Sequence, residues 1–349
     1  MGYLKVHLVT QKVKQHAPPT LSYVAFCELG KITSTGSSQT HGQTFVVMSL
    51  MAPAAERKLT GLVAATFTPL TTQGEINLKE IGRYIDYLTE KQGVNNIFVN
   101  GTTGESMSFS VAERKILAEE WCQKAKGKMD QVIVHVGCMN LKDSQELVMI
   151  FTHCHCNDLF TSRYCSYQMF LHEVALAAPT LPFYYYHIPA VTGVNVLASD
   201  VLEGIEELIP SFSGVKFSGV DLMDLGQCVS YSQPRWSVLY GVDEQLLAAL
   251  ALGAHGAVGS TYNYMGCHVN ELISAFDKGD IVQARRIQFK MQELLSYAQK
   301  RGFDVGVNKQ LMIELSGLNL GPPRLPVMPC PHEQCLCIAQ KYHSIFPEC

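Results

Sequence analysis

The chain has 349 residues, 47% hydrophobic and 17% charged, with a formal net charge of -4. That balance excludes a strongly basic nucleic-acid binder and a chain too polar to bury a core, and the length admits one α/β domain of ~250 residues or two ordinary ones. Its 12 cysteines do not follow a secretory leader. They read as reduced thiols, with the cytosol as the expected compartment.

Residues 1–57 mix turn formers and polar residues without sustained periodicity, which predicts a disordered or non-native leader with Met51 as a candidate start. The apolar run 45–52 falls short of the ~20 residues that cross a bilayer, so no membrane partner is expected. From Leu59 onward, short apolar runs alternate with amphipathic stretches, as βα units around a parallel sheet require. Strands are predicted at 62–70, 96–101, 132–137, 183–189, 214–218, 238–243 and 256–261. Asn77 with Glu80, and Ser110 with Glu113, have capping spacing and predict two helix starts. Leu78, Ile81, Ile85 and Leu88 line one face of the first of these helices.

This pattern approaches the eight strands of a (β/α)8 TIM barrel, an α/β fold whose chemistry sits at the C-terminal strand ends. The missing strand falls between Val148 and Glu173, where the cysteine-rich text shows neither a helix-period face nor a strand bounded by turns. Residues 148–152 offer only weak pairing. Helices are predicted over 270–301 and 309–315, ended by Gly321-Pro322-Pro323-Arg324. The expected organisation is a leader over 1–57, a barrel over 58–270 with an irregular segment at 149–172 in its disrupted fourth-strand region, and C-terminal helices and a tail over 271–349.

Three strand ends carry chemistry. Lys216 lies between apolar neighbours in Gly214-Val215-Lys216-Phe217-Ser218, where lost hydration favours the neutral amine that attacks a ketone. The plain alternative is a lysine with a buried stem and a head in water. Tyr186 ends the run that begins at Phe183, and a phenol there can move protons, although a tyrosine run also serves packing. Gly101-Thr102-Thr103-Gly104-Glu105 is either an ordinary βα loop or a tight turn whose amides and hydroxyls cradle a carboxylate.

These motifs, in this order, resemble the pyruvate-dependent Schiff-base aldolases of the dihydrodipicolinate synthase-like family, in particular its sialic acid-cleaving branch. The resemblance spans Leu59 to about Pro326. It rests on GTTGE at 101–105, YYYHIPAVTGV at 184–194, GVKFS at 214–218 and GVDEQLL at 241–247, supported by GAVGSTYNY at 256–264 and GPPRLP at 321–326. It implies Lys216 as the Schiff-base lysine, Tyr186 as acid and base, and Thr102 and Thr103 as carboxylate ligands. It places Ser218, Gly241, Asp243, Glu244 and Ser260 against a polyol tail. Asp243 and Glu244 also read as N-cap and first-turn acid of a helix over 245–252. No cofactor or metal is implied, and the partners are small molecules, sialic acid and pyruvate, with a likeness to homotetramers.

The synthase branch carries an arginine after the proline of the tyrosine strand; here Ala190 follows Pro189. A small apolar residue there, with the acidic pair Asp243 and Glu244, favours a neutral polyol over an acidic aldehyde. Cleavage of sialic acid to pyruvate and N-acetylmannosamine is therefore preferred over the synthase or a 4-hydroxy-2-oxoglutarate aldolase. The segment 149–172 departs from the family, and that leaves an inactive lyase-like isoform acting by binding as a further reading. His153-Cys154-His155-Cys156 raises a small metal module, but zinc pairs stand two to four residues apart and no second pair follows.

Overall fold

Eight parallel strands form one curled sheet in the order β3-β2-β1-β8-β7-β6-β5-β4. They are β1 (Gly61–Ala65), β2 (Asn96–Val99), β3 (Gln131–Val134), β4 (His153–Cys154), β5 (Phe183–His187), β6 (Phe212–Phe217), β7 (Ser237–Tyr240) and β8 (Gly256–Gly259). The computed structural model describes residues 58–148, 153–154, 165–232 and 235–346; the expectations for 1–57 lie outside them. The first and last strands pair, Leu62 against Ala257 and Val63 against Val258, as a (β/α)8 barrel requires. Among the described residues no ladder joins β3 to β4, and the seam of the wall lies between them.

Helices follow the strands: α1 (Glu80–Glu90), α2 (Val111–Ala125), α3 (Leu141–Val148), α4 (Cys165–Ala175), α5 (Pro189–Thr192), α6 (Ala198–Leu202), α7 (Ile205–Leu208), α8 (Leu222–Ser232), α9 (Leu246–Ala251) and α10 (Tyr262–Asp277). Then α11 (Ile281–Gln299), α12 (Val305–Ser316) and α13 (His332–Ile345) form the C-terminal layer. No helix among the described residues is long and apolar enough to cross a membrane.

The period of two along each strand divides the apolar residues into two cores. Phe183, Tyr185, Val215, Phe217, Val238 and Tyr240 face the helices. Val63, Ala65, Phe98, Ile133, Tyr184, Tyr186, Leu239 and Val258 fill the lumen. Because both faces are buried, each strand reads as a continuous apolar run.

Several expectations need correction. Ser110 does cap α2 in a full capping box, its hydroxyl accepting from the Glu113 amide at 3.2 Å while Glu113 accepts from the Ser110 amide at 2.9 Å. Asn77 does not cap α1: the N-cap is Lys79, without a side-chain bond. The region read as irregular, 149–172, includes the first part of α4 (Cys165–Ala175), whose buried Leu171 and Val174 pack one turn apart. It also contains the two-residue β4, which pairs His153 with Tyr184 and Cys154 with Tyr185. Among the described residues the fourth strand is thus present, with two residues. The single helix expected over 270–301 is two, since α10 ends before Gly279 and Asp280 caps α11 through the Gln283 amide at 2.9 Å. Cys122, Cys138, Cys228, Cys330, Cys335 and Cys337 are free thiols.

Candidate active site

Lys216 pairs in register with Tyr186 on one side and Leu239 on the other. Both neighbours point into the lumen, so the strand period sends the lysine there too. Its side chain is buried, with Nζ 4.0 Å from the centroid of the Tyr186 ring and 4.2 Å from that of Phe98. The amine therefore sits over two aromatic faces. Tyr186 in turn meets Phe98 edge to face at 5.8 Å and His135 at 6.0 Å.

The other candidates stand on the same rim. Ser218 follows β6 and donates its amide to the His187 carbonyl at 2.7 Å, and Gly241 follows β7 and donates to the Phe217 carbonyl at 2.7 Å. Gly241 leaves room for the Ser218 hydroxyl, which a Cβ there would overlap. Ser260 follows β8; its hydroxyl accepts from Asn308 Nδ2 at 2.8 Å. Thr102 and Thr103 lie half-buried in the turn after β2.

Asp243 and Glu244 open a short 3-10 turn, and the N-cap of α9 is Gln245, so the capping role expected of Asp243 is overturned. Its carboxylate instead reaches β8, accepting from the Thr261 amide at 3.0 Å and the Thr261 hydroxyl at 2.6 Å. Gly259 must lack a side chain because a Cβ would strike that carboxylate. Burial pushes the Asp243 carboxyl up to about 6, despite the two Thr261 bonds and the nearby Lys216 charge that favour ionisation. The half-buried Glu244 is held through its backbone, its carbonyl accepting from Gln292 Nε2 at 2.7 Å.

A raised folded pKa means that the native state binds more protons than the unfolded chain between about pH 4 and 6, so this group's contribution is complete below about pH 4 and lost as pH rises through about 6. Asp243→Asn is expected to gain on the wild type over that window by up to about 3 kcal/mol. Thermal midpoints of both proteins from pH 4 to 7.5 check this; a constant difference would contradict it.

Sequence reasoning missed the supports behind the rim. Glu105, the last residue of the GTTGE turn, has left-handed backbone, φ 58° and ψ 34°, a conformation that costs a non-glycine residue about 1–3 kcal/mol unless its surroundings enforce it. Its carboxylate accepts from Lys309 Nζ at 2.8 Å and from the Arg324 amide at 2.6 Å. Burial pushes the Lys309 ammonium below its usual range, against the opposing pull of Glu105. Arg324 donates to the Gly74 carbonyl at 2.7 Å and to Glu113 at 2.7 Å, and lies over the Phe109 ring at 4.4 Å. Phe98 and His135 were legible only by counting inward positions along β2 and just past β3.

The arrangement places a buried amine beside a phenol, with hydroxyls and a carboxylate around the mouth, and no group of three or more His, Cys, Asp or Glu that would hold a metal is found among the described residues. The model of the dihydrodipicolinate synthetase family matches residues 58–341. The chain is 58% identical over 300 residues to N-acetylneuraminate lyase of Danio rerio, covering 82% of this chain and 97% of that protein. It is 50% identical over 294 residues to N-acetylneuraminate lyase of Homo sapiens, covering 80% and 90%. Among solved structures, N-acetylneuraminate lyase (sialic acid aldolase) from Aliivibrio salmonicida superposes with a TM-score of 0.76 at 37% identity, over 83% of this chain and 97% of that one.

Proposed function

Because the chain belongs to the dihydrodipicolinate synthetase family, we propose that it is a carbon–carbon lyase that splits N-acetylneuraminate reversibly into pyruvate and N-acetylmannosamine. The observation that carries this reading is the buried Lys216 amine, 4.0 Å from the Tyr186 ring centroid at the C-terminal strand ends.

In this reading the Lys216 amine attacks the keto carbon of the open-chain sugar acid, and loss of water leaves a protonated imine. Tyr186 relays the protons of that dehydration. It then takes the proton from the C4 hydroxyl as the C3–C4 bond breaks; the bonding pair moves into the imine and gives the enamine of pyruvate, while C4 leaves as the aldehyde of N-acetylmannosamine. Protonation at C3 and addition of water release pyruvate and restore the amine. Thr102 and Thr103 hold the carboxylate through turn amides and hydroxyls, and Ser218, Gly241, Asp243, Glu244 and Ser260 take the polyol. A homotetramer in the cytosol belongs to the same reading, and sedimentation of the purified chain tests the assembly.

Incubation with N-acetylneuraminate is expected to release pyruvate and N-acetylmannosamine in equal amounts, whereas pyruvate with aspartate semialdehyde is expected to give no product, for want of a cation after Pro189. Synthase activity without lyase activity would sink the proposal. One observation favours a second reading, a catalytically weak form: β4 has two residues and pairs only with β5 among the described residues.

A further inference from the structure

The proposed chemistry leaves a fully buried ion pair unused. Lys309 Nζ and Glu105 Oε1 are 2.8 Å apart with neither side chain exposed, and Lys309 makes a second bond to the Pro322 carbonyl at 3.2 Å. Removing two charges from water often costs more than their pairing returns, so an apolar pair of equal volume would hold the fold as well. An apolar pair lacks bond direction, and direction matters here. Glu105 closes the turn that contains Thr102 and Thr103, donating its amide to the Thr102 carbonyl at 3.0 Å, while its left-handed backbone needs enforcement. From the other side the Thr68 hydroxyl donates to the Gly104 carbonyl at 2.7 Å. The turn is thus gripped twice just after Thr103, at Gly104 and at Glu105, and Asn308, next to Lys309 on α12, bonds Ser260.

We propose that Lys309, acting through Glu105, is a positioning residue that sets the turn of Thr102 and Thr103 for the substrate carboxylate, a role that rests on the reading of that turn given above. Helix α12 then aligns both ends of the substrate, the carboxylate end through Lys309 and the polyol end through Asn308. Loss of the pair lets the turn relax, and carboxylate binding weakens while the amine and the phenol keep their places on β6 and β5.

The test uses the full chain, Lys309→Met and Glu105→Gln, labelled with pyruvate and borohydride over a range of pyruvate concentrations. The half-saturating concentration is expected to rise about tenfold or more in both variants, since displacements near 1 Å reach about 100-fold. The labelled fraction of folded protein at saturation is expected to stay within about twofold, which a merely structural lesion does not produce. Without ligand, deuterium exchange over 101–109 is expected to quicken in the variants more than elsewhere in the barrel. An unchanged half-saturating concentration, or unchanged exchange over 101–109, overturns the proposal. Should Lys309→Met fail to fold, Glu105→Gln, which keeps shape and an acceptor, decides on the same two readouts. If the unaltered chain takes no label, the Schiff-base reading falls separately, and the exchange data still decide whether Lys309 holds the turn.

Discussion

Lys216→Ala is expected to take up no pyruvate on borohydride reduction and to lose N-acetylneuraminate cleavage to the background rate. A methyl group offers no lone pair for imine formation, so without the imine the electrons of the breaking bond have no acceptor. The loss is the largest of any single change because enzymes commonly accelerate reactions by at least about a million-fold and this covalent step carries the mechanism. Folding should be little affected, since the amine has aromatic faces for neighbours and makes no ion pair among the described residues. Mass spectrometry after reduction, with thermal unfolding as control, checks both statements. Label persisting in the variant would identify another lysine.

The second large effect is expected at the seam. Replacing 149–164 with the corresponding stretch of the Danio rerio lyase, so that β4 lengthens and pairs with β3 as well as β5, should raise the thermal midpoint by several degrees and turnover by up to about 100-fold. Each ladder bond contributes about 0.5–1.5 kcal/mol net, so closing two edges restores several kcal/mol against a total of about 5–15 kcal/mol. The kinetic gain has a geometric cause. Lys216 and Tyr186 are carried on β6 and β5, and β5 is the strand that β4 supports. A shift near 1 Å between amine and phenol costs about 100-fold. Equal midpoints and equal turnover in the two proteins would show that the present segment already braces β5.

The barrel was legible because its strands are buried on both faces, which turns each into an apolar run that needs no register to be recognised. The predicted strands ran long at their C-terminal ends, 62–70 against Gly61–Ala65 for β1, because buried rim residues such as Phe67 and Leu70 continue the apolar run after it leaves the ladder. Lys216 and Tyr186 stood out for the opposite reason: each is a reactive group inside such a run. Only the capping role of Asp243 was misread, for a local pattern favours the nearest backbone amides as partners, while its carboxylate bonds Thr261, 18 residues on. Helix α4 escaped notice because Tyr167, Phe170 and Leu171 blur the contrast between its faces. The bond of Glu105 to Lys309 left no local signature at all.

That bond joins residues 204 apart in the chain. At about 5–20 residues per second, a ribosome adds Lys309 roughly 10–40 s after Glu105, and Arg324 later still. The turn that is to receive the carboxylate is therefore among the first parts of the site to be synthesised and among the last to be set. A nascent chain halted before residue 309 already contains every residue proposed to touch substrate, Thr102 through Ser260, yet it lacks the side chain that locks the first of them. Competence to bind is in this sense withheld until the C-terminal layer, beyond the last strand of the barrel, has been translated.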